Sequence, residues 1–225
     1  MKELNTLGSG IAGDAYTSIS QPIPFADGKG TIERLRKPVS FIAAFALVCL
    51  LIFTQPRGSD KFLMECVKLG GFLLVFAGAL GRILCTLYIG GRKNRELCQS
   101  GVYQMCRNPL YFFSFVALVG ICLAAENIAV AAIAATTFLS FYRAVILSEE
   151  KKLLRLFPET YPPYQNAVPR FWPRAIPLRD SQDLRINTAV FIRSLLEVWW
   201  FLAALAAVEA LGFLQSHGYI NSFSW

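Results

Sequence analysis

Five long apolar runs, separated by short charged segments, limit what this chain can fold into more than any other feature. They are Val39–Thr54, Phe62–Ile89, Leu110–Ala125, Ile128–Leu147 and Ala189–Leu214. A helix needs about 20 mostly apolar residues to cross about 30 Å of hydrocarbon, and these runs bracket that length. Buried helices of a soluble all-α protein are the competing explanation. It fails because the chain is 55% hydrophobic, with a mean hydropathy of +0.45, and five such runs leave too little polar surface to cover them. The expected fold class is therefore all-α: an integral membrane helical bundle of about five transmembrane helices.

Charge placement orients the bundle. Of the 22 Lys and Arg residues, only Arg57, Lys61 and Lys68 fall on one side of the runs. The other nineteen fall on the opposite side: sixteen in the N-terminal tail, the loop around 90–108 and the segment 148–188, and Arg82, Arg143 and Arg193 on the flanks of the last two. Positive residues stay cytoplasmic, so these three segments are expected in the cytosol, with the C-terminus outside after five crossings. The net charge of +7 thus reports topology and gives no reason to invoke nucleic acid.

Three regions are expected: a cytosolic tail over residues 1–37, a membrane core over 38–187 with its site on the cytosolic face, and an additional C-terminal transmembrane helix and tail over 188–225. The tail has no early apolar run of the signal-peptide kind, and a short interfacial helix is expected around Gly30–Lys37. Gly8, Gly10 and Gly13 match G-x-G-x-x-G, but neither a strand before nor a helix after supports a dinucleotide loop. Turns are expected at Gln55-Pro56-Arg57-Gly58 and at Glu126-Asn127. Six cysteines show no C-x-x-C pair and read as small buried hydrophobes, and the single histidine, His217, excludes a His-rich zinc or di-iron centre. No metal is expected.

Two clusters carry polar chemistry at the cytosolic boundary. The first runs from Arg95 through Glu96, Leu97, Cys98 and Tyr103 to Arg107, Asn108, Pro109 and Tyr111. Asn108-Pro109 reads as the turn that launches the third membrane helix, which leaves Arg107 and Asn108 at its positive end. The second holds Arg143, Glu149, Glu150, Phe157, Tyr161, Tyr164 and Val168-Pro169-Arg170. Adjacent on one helix, Glu149 and Glu150 point about 100° apart, one toward a pocket and the other toward water. Arg143 follows sixteen uncharged residues, whereas Lys151, Lys152 and Arg155 read as a solvated helix face.

Taken in order, Ser100-Gly101-Val102-Tyr103, Arg107-Asn108-Pro109-x-Tyr111, Glu149-Glu150, Phe157, Tyr161, Tyr164 and Val168-Pro169 resemble the isoprenylcysteine carboxyl methyltransferase and phospholipid methyltransferase superfamily. The resemblance spans about residues 69–173. It implies an S-adenosylmethionine-dependent enzyme with a lipid-like, membrane-soluble acceptor, an isoprenylcysteine-type carboxylate, a phospholipid amine or a thiol. It also implies a short C-terminal-segment cap over the cofactor. Arg95, Glu96, Leu97, Cys98 and Tyr103 are then expected to line the cofactor, Arg107 and Asn108 to meet its methionyl end, Tyr111 to pack beside it, and Glu149 or Glu150 to take its ribose hydroxyls or amino group. Arg143, Glu149, Arg170 and Tyr161 are the expected catalytic residues. The chain departs from the family where Asn108 replaces a histidine, Pro158 a glycine and Ala167 a basic residue. Two alternatives are an NADPH-dependent membrane reductase of the steroid 5-alpha-reductase type, echoed by Tyr161-Pro162, and a non-enzymatic membrane scaffold.

Overall fold

The computed structural model describes residues 31–55, 60–90, 96–175, 188–219 and 223–224. Among the described residues seven helices form: α1 (Thr31–Phe53), α2 (Lys61–Ile89), α3 (Val102–Met105), α4 (Pro109–Ala124), α5 (Ile128–Leu156), α6 (Tyr161–Ala167) and α7 (Thr188–Ser216). Two two-residue strands, β1 (Thr54–Gln55) and β2 (Phe223–Ser224), pair in parallel. The fold is the expected all-α membrane bundle with that one small addition. The tail before residue 31 and the turn residues 56–59 lie outside the described residues.

The helices α2, α5 and α7 are long and apolar enough to cross a bilayer. The other two runs are shorter: Pro38–Phe53 within α1, and α4. Sixteen residues of α4 rise only about 24 Å against about 30 Å of hydrocarbon. Proline sets its start and the Ala125-Glu126-Asn127 turn sets its end, while α2 and α5 flank it. The expected break between an interfacial helix and the first run does not occur, because α1 continues through Pro38. Helix α5 runs nine residues past the expected end of its apolar run, and those residues carry Glu149 and Glu150.

Local chemistry fixes the starts. The Asp60 carboxylate accepts from the Phe62 and Leu63 amides at 3.0 and 3.3 Å, capping α2. Asn127 caps α5 by accepting from the Val130 amide at 3.0 Å, and its Nδ2 donates to Thr54 Oγ1 at 2.9 Å, tying in the end of α1.

Small residues bring α2 and α4 together, as is common where no hydrophobic effect drives helices together in lipid. A Cβ on Gly78 would stand 2.7 Å from the Phe113 carbonyl oxygen. One on Gly120 would stand 2.8 Å from both the Gly71 oxygen and the Val75 nitrogen. These contacts are with backbone, so a side chain would force the helices apart.

Two ion pairs fasten α7 to α2. Lys68 Nζ meets Glu209 Oε2 at 2.8 Å, and Arg82 Nη2 meets Glu197 Oε2 at 2.8 Å. At about 1.5 Å per residue the cations are about 21 Å apart along α2 and the anions about 18 Å apart along α7, so the helices run antiparallel with a rung near each end. Elsewhere α7 is little covered, with only Ser194 and Val208 buried. Trp199 and Trp200 face outward.

Candidate active site

The site forms at the end of the bundle where α2 finishes and α4 begins, hereafter the basic end. Gly101 makes the first sharp turn there, at φ +59°, and a Cβ on it would collide with the ring of Tyr88. Glycine serves both the backbone and the contact. The turn starts α3 and buries Tyr103, whose carbonyl accepts from Tyr164 Oη at 2.8 Å. Burial, with Cys85 and Cys98 adding to it, pushes the Tyr103 phenol well above its ordinary range. Burial likewise raises the Cys106 thiol to about 11, so it stays protonated.

The chain after α6 returns and laces onto the residues before α4. The Arg107 amide donates to the Pro169 carbonyl and the Arg174 amide to the Met105 carbonyl, each at 2.9 Å. Asn108 Nδ2 donates to the Arg170 carbonyl at 3.0 Å and makes no side-chain cap on α4. Phe171 and Trp172 follow, and their rings pack edge-on against Phe112 and Phe115 of α4.

This seam brings the two clusters together. Arg107 Nη2 lies 3.2 Å from Glu150 Oε1, and Arg170 Nε lies 3.1 Å from Glu150 Oε2. The Arg107 and Glu150 side chains are each only 7% exposed, while Arg170 is 43% exposed. One turn position away, Glu149 accepts from Tyr111 Oη at 2.7 Å. The doublet therefore divides its work, but not as expected. Glu149 faces the cavity, and Glu150 points into a buried clamp of two arginines instead of water.

Beside the clamp opens a cavity of about 390 Å³. Glu96, Leu97, Cys98 and Tyr103 form one wall; Arg107, Asn108, Tyr111 and Glu149 line others. Arg95 lies outside the described residues. Glu150 and Arg170 stand behind the wall, in the clamp. Two expected catalytic residues are not brought to the cavity. Arg143 is exposed on α5, on a different face from Glu149. Tyr161 is 1% exposed, and its hydroxyl lies near Arg107 without making a hydrogen bond. Burial, and then the Glu150 charge, raise its phenol to about 12, partly offset by Arg107 and Arg170, so it is a poor proton acceptor.

Other lining residues went unread in the sequence. Lys152, expected to be on a solvated face, lines the cavity with Leu153 and Tyr142. From Tyr142 to Glu149 to Lys152 and Leu153 the intervals are seven, three and four, one helical stripe, so periodicity held the signal. Arg82 and Ser114 close the end nearest the bilayer. Ser114 is three residues after Tyr111 on α4, but nothing in the sequence pairs it with Arg82.

Two buried nitrogens of Arg107, Nε and Nη1, have no hydrogen-bond partner. A desolvated donor left bare costs about 1–3 kcal/mol, more for a charged group, so Arg107 keeps hydrogen-bonding capacity to spare beyond Glu150. With Glu149 and Glu96 opposite, the cavity offers a cation and carboxylates together. A zwitterionic amino acid tail needs that pairing, and Leu97, Cys98 and Tyr103 offer an apolar and aromatic face to a base. The residues present fit S-adenosylmethionine.

Residues 70–160 match the phospholipid methyltransferase family model. That stretch holds α2 from its first turns onward, α3, α4 and α5, and with them Arg107 and the glutamate doublet. The chain is 34% identical over 192 residues to the nickel-cobalt-cadmium resistance protein NccN of Alcaligenes xylosoxydans xylosoxydans, covering 85% of this chain and 90% of that one. It is 32% identical over 181 residues to the cobalt-zinc-cadmium resistance protein CzcN of Cupriavidus metallidurans, covering 80% and 83%. No solved structure matches the chain.

Proposed function

Because this chain belongs to the phospholipid methyltransferase family, we propose that it is an enzyme that transfers the methyl group of S-adenosylmethionine to a lipophilic acceptor. The observation that carries the proposal is that Arg107, which keeps two buried nitrogens unpaired, and Glu149 line one cavity. The nineteen basic residues that the sequence puts on one side of the apolar runs support a cytosolic site, supplied with cofactor from the cytosol and with acceptor from the inner leaflet.

When bound, S-adenosylmethionine would supply an electrophilic methyl to the acceptor's lone pair, with the sulfur as leaving group. The protein's task is alignment and exclusion of water, which supplies about 7–11 kcal/mol when reactants are well placed. Arg107 would hold the methionyl carboxylate. Glu149 and Glu96 would take the ammonium and the ribose hydroxyls, and the Tyr111 hydroxyl fixes the Glu149 carboxylate. Glu150 orients Arg107 and is a positioning residue. An amine acceptor sheds one proton, and Glu149 is the carboxylate positioned to take it; a carboxylate acceptor needs no such step.

Both curated relatives carry metal-resistance names. For this chain, such a role would follow from altering a membrane amphiphile by methylation. Among the described residues no three His, Cys, Asp or Glu side chains gather as a metal-binding group.

Detergent-purified protein titrated with S-adenosylmethionine and, separately, NADPH tests the proposal. Saturation to a hundred times Kd stabilises by about 2.7 kcal/mol, and about 2–4 °C of Tm per kcal/mol makes that about 5–11 °C. S-adenosylmethionine is expected to give this shift, and labelled methyl to pass into the lipid extract. A shift with NADPH alone points to the reductase, and no shift with either points to the scaffold; both refute the proposal.

A further inference from the structure

Arg82 belongs to neither cluster that forms the cofactor site, yet it lines the same cavity. It lies seven residues before the end of α2, about 10 Å below the basic end at about 1.5 Å per residue. Ser114 is about 8 Å into α4 and Glu197 about 14 Å into α7 by the same measure, so the three meet near the boundary between headgroups and hydrocarbon.

The contacts are incomplete. Arg82 Nη1 donates to Ser114 Oγ and Nη2 to Glu197, and the guanidinium lies over the Phe201 ring at 5.6 Å from its centroid. Its Nε is buried with no partner. Ser114 already gives its own proton to the Leu110 carbonyl at 2.7 Å. Glu197 is 51% exposed, on the least buried of the three helices long enough to cross a bilayer, so it can yield its place. Docking α7 does not by itself account for Arg82, since Lys68–Glu209 does that at the other end without touching this cavity.

We propose that Arg82, held between Ser114 and Glu197, selects the acceptor by taking the anionic group of a membrane amphiphile in exchange for Glu197. This rests on the methyl-transfer reading of the cavity and names the acceptor class: an acidic amphiphile, its anion a phosphate or a carboxylate, its tail along α7. Arg82 is the cation toward the bilayer end of the cavity, whereas Arg107 and Lys152 share the other end with Glu149 and Glu96 and are balanced by them. A cationic headgroup at Arg82 is repelled. A neutral one leaves Nε bare and cannot displace Glu197.

The test uses the full chain in dodecyl maltoside, reading the Tm on titration with dodecyl phosphate, laurate and dodecyl trimethylammonium. Wild type is expected to bind the two anions and not the cation, and the stronger of the two identifies the anion as phosphate or carboxylate. Arg82→Gln is expected to weaken anion binding about tenfold or more, equivalent to about 1.4 kcal/mol. Glu197→Gln is expected to strengthen it, because the internal competitor is gone. A merely structural pair predicts otherwise, with both variants losing binding together. That result overturns the proposal, as does equal binding of cation and anions by wild type. Where Arg82→Gln does not fold, the direction of the Glu197→Gln effect decides alone. S-adenosylmethionine is titrated separately on wild type: its failure to bind refutes the methyl-transfer reading, whereas failure of the anion arms with the cofactor still binding refutes only the role of Arg82.

Discussion

Two adjacent glutamates with the same chemistry should give opposite phenotypes. Glu150→Gln keeps the side-chain volume but removes the charge that two arginines share. Breaking a buried ion pair by removing one partner costs about 3–5 kcal/mol, because the other charge is left without compensation. Arg107 is 7% exposed and takes nearly the full penalty; Arg170, 43% exposed, is largely relieved by solvent. Glutamine can still accept one hydrogen bond, so about 3 kcal/mol is the expected loss. At about 2–4 °C per kcal/mol for a chain of this size, the Tm falls by about 6–12 °C. Glu149→Gln removes a carboxylate that lines the cavity, outside the buried two-arginine clamp, so its Tm should change by less than about 4 °C. Its affinity for S-adenosylmethionine should fall about tenfold to a hundredfold, the worth of a charged hydrogen bond. Thermal unfolding followed by dye or by light scattering, with and without cofactor, reads both. A Glu150→Gln protein as stable as wild type, or a Glu149→Gln protein that loses as much stability as Glu150→Gln, would refute the division of labour.

Tyr161→Phe should leave stability and cofactor binding near wild type, since its hydroxyl makes no hydrogen bond; loss of turnover in that variant would restore it as a catalytic group. With its phenol raised to about 12 in the folded state and near 10 unfolded, Tyr161 contributes stability that is present below about pH 10 and lost as pH rises toward 12. The phenylalanine variant should therefore show a shallower alkaline decline in Tm. Gly120→Ala places a methyl against the backbone of α2 and should cost about 1–3 kcal/mol, read as a lower Tm in the same detergent. Cys98, half-buried on the cavity wall, should be protected from maleimide by S-adenosylmethionine, as mapped by mass spectrometry; equal labelling with and without cofactor would move the cofactor elsewhere.

The helices were legible because apolar length is a property of the chain itself, and the starts at Asn127 and Pro109 follow from single-residue chemistry. Their lengths were less so. Nothing in the composition says that α1 runs on through Pro38 or that α5 projects to Leu156, since neighbouring packing decides both. The close approach at Gly71, Gly78 and Gly120 went unread, because it needs both helices in place. In the site, Arg107 and the glutamate doublet announced themselves as charges at a membrane boundary. Which glutamate turns inward depends on a return segment sixty residues from Arg107, and the convergence of Arg82, Ser114 and Glu197 depends on three helices meeting. Arg143 looked prominent for the same reason Arg82 was overlooked: isolation in the sequence says nothing about which way a helix is turned.

The two rungs between α2 and α7 bear on how the chain is made. Ribosomal synthesis delivers α2, with Lys68 and Arg82, long before Glu197 and Glu209 exist. A cation in a membrane helix raises the free energy of insertion by about 2.5–3.5 kcal/mol at the centre on translocon scales and by less toward the ends, where these two lie. The nascent hairpin therefore enters the bilayer before its α7 partners exist. Chains stopped short of residue 197 leave Arg82 without its carboxylate, while Lys68 keeps only Glu126, at 4.0 Å.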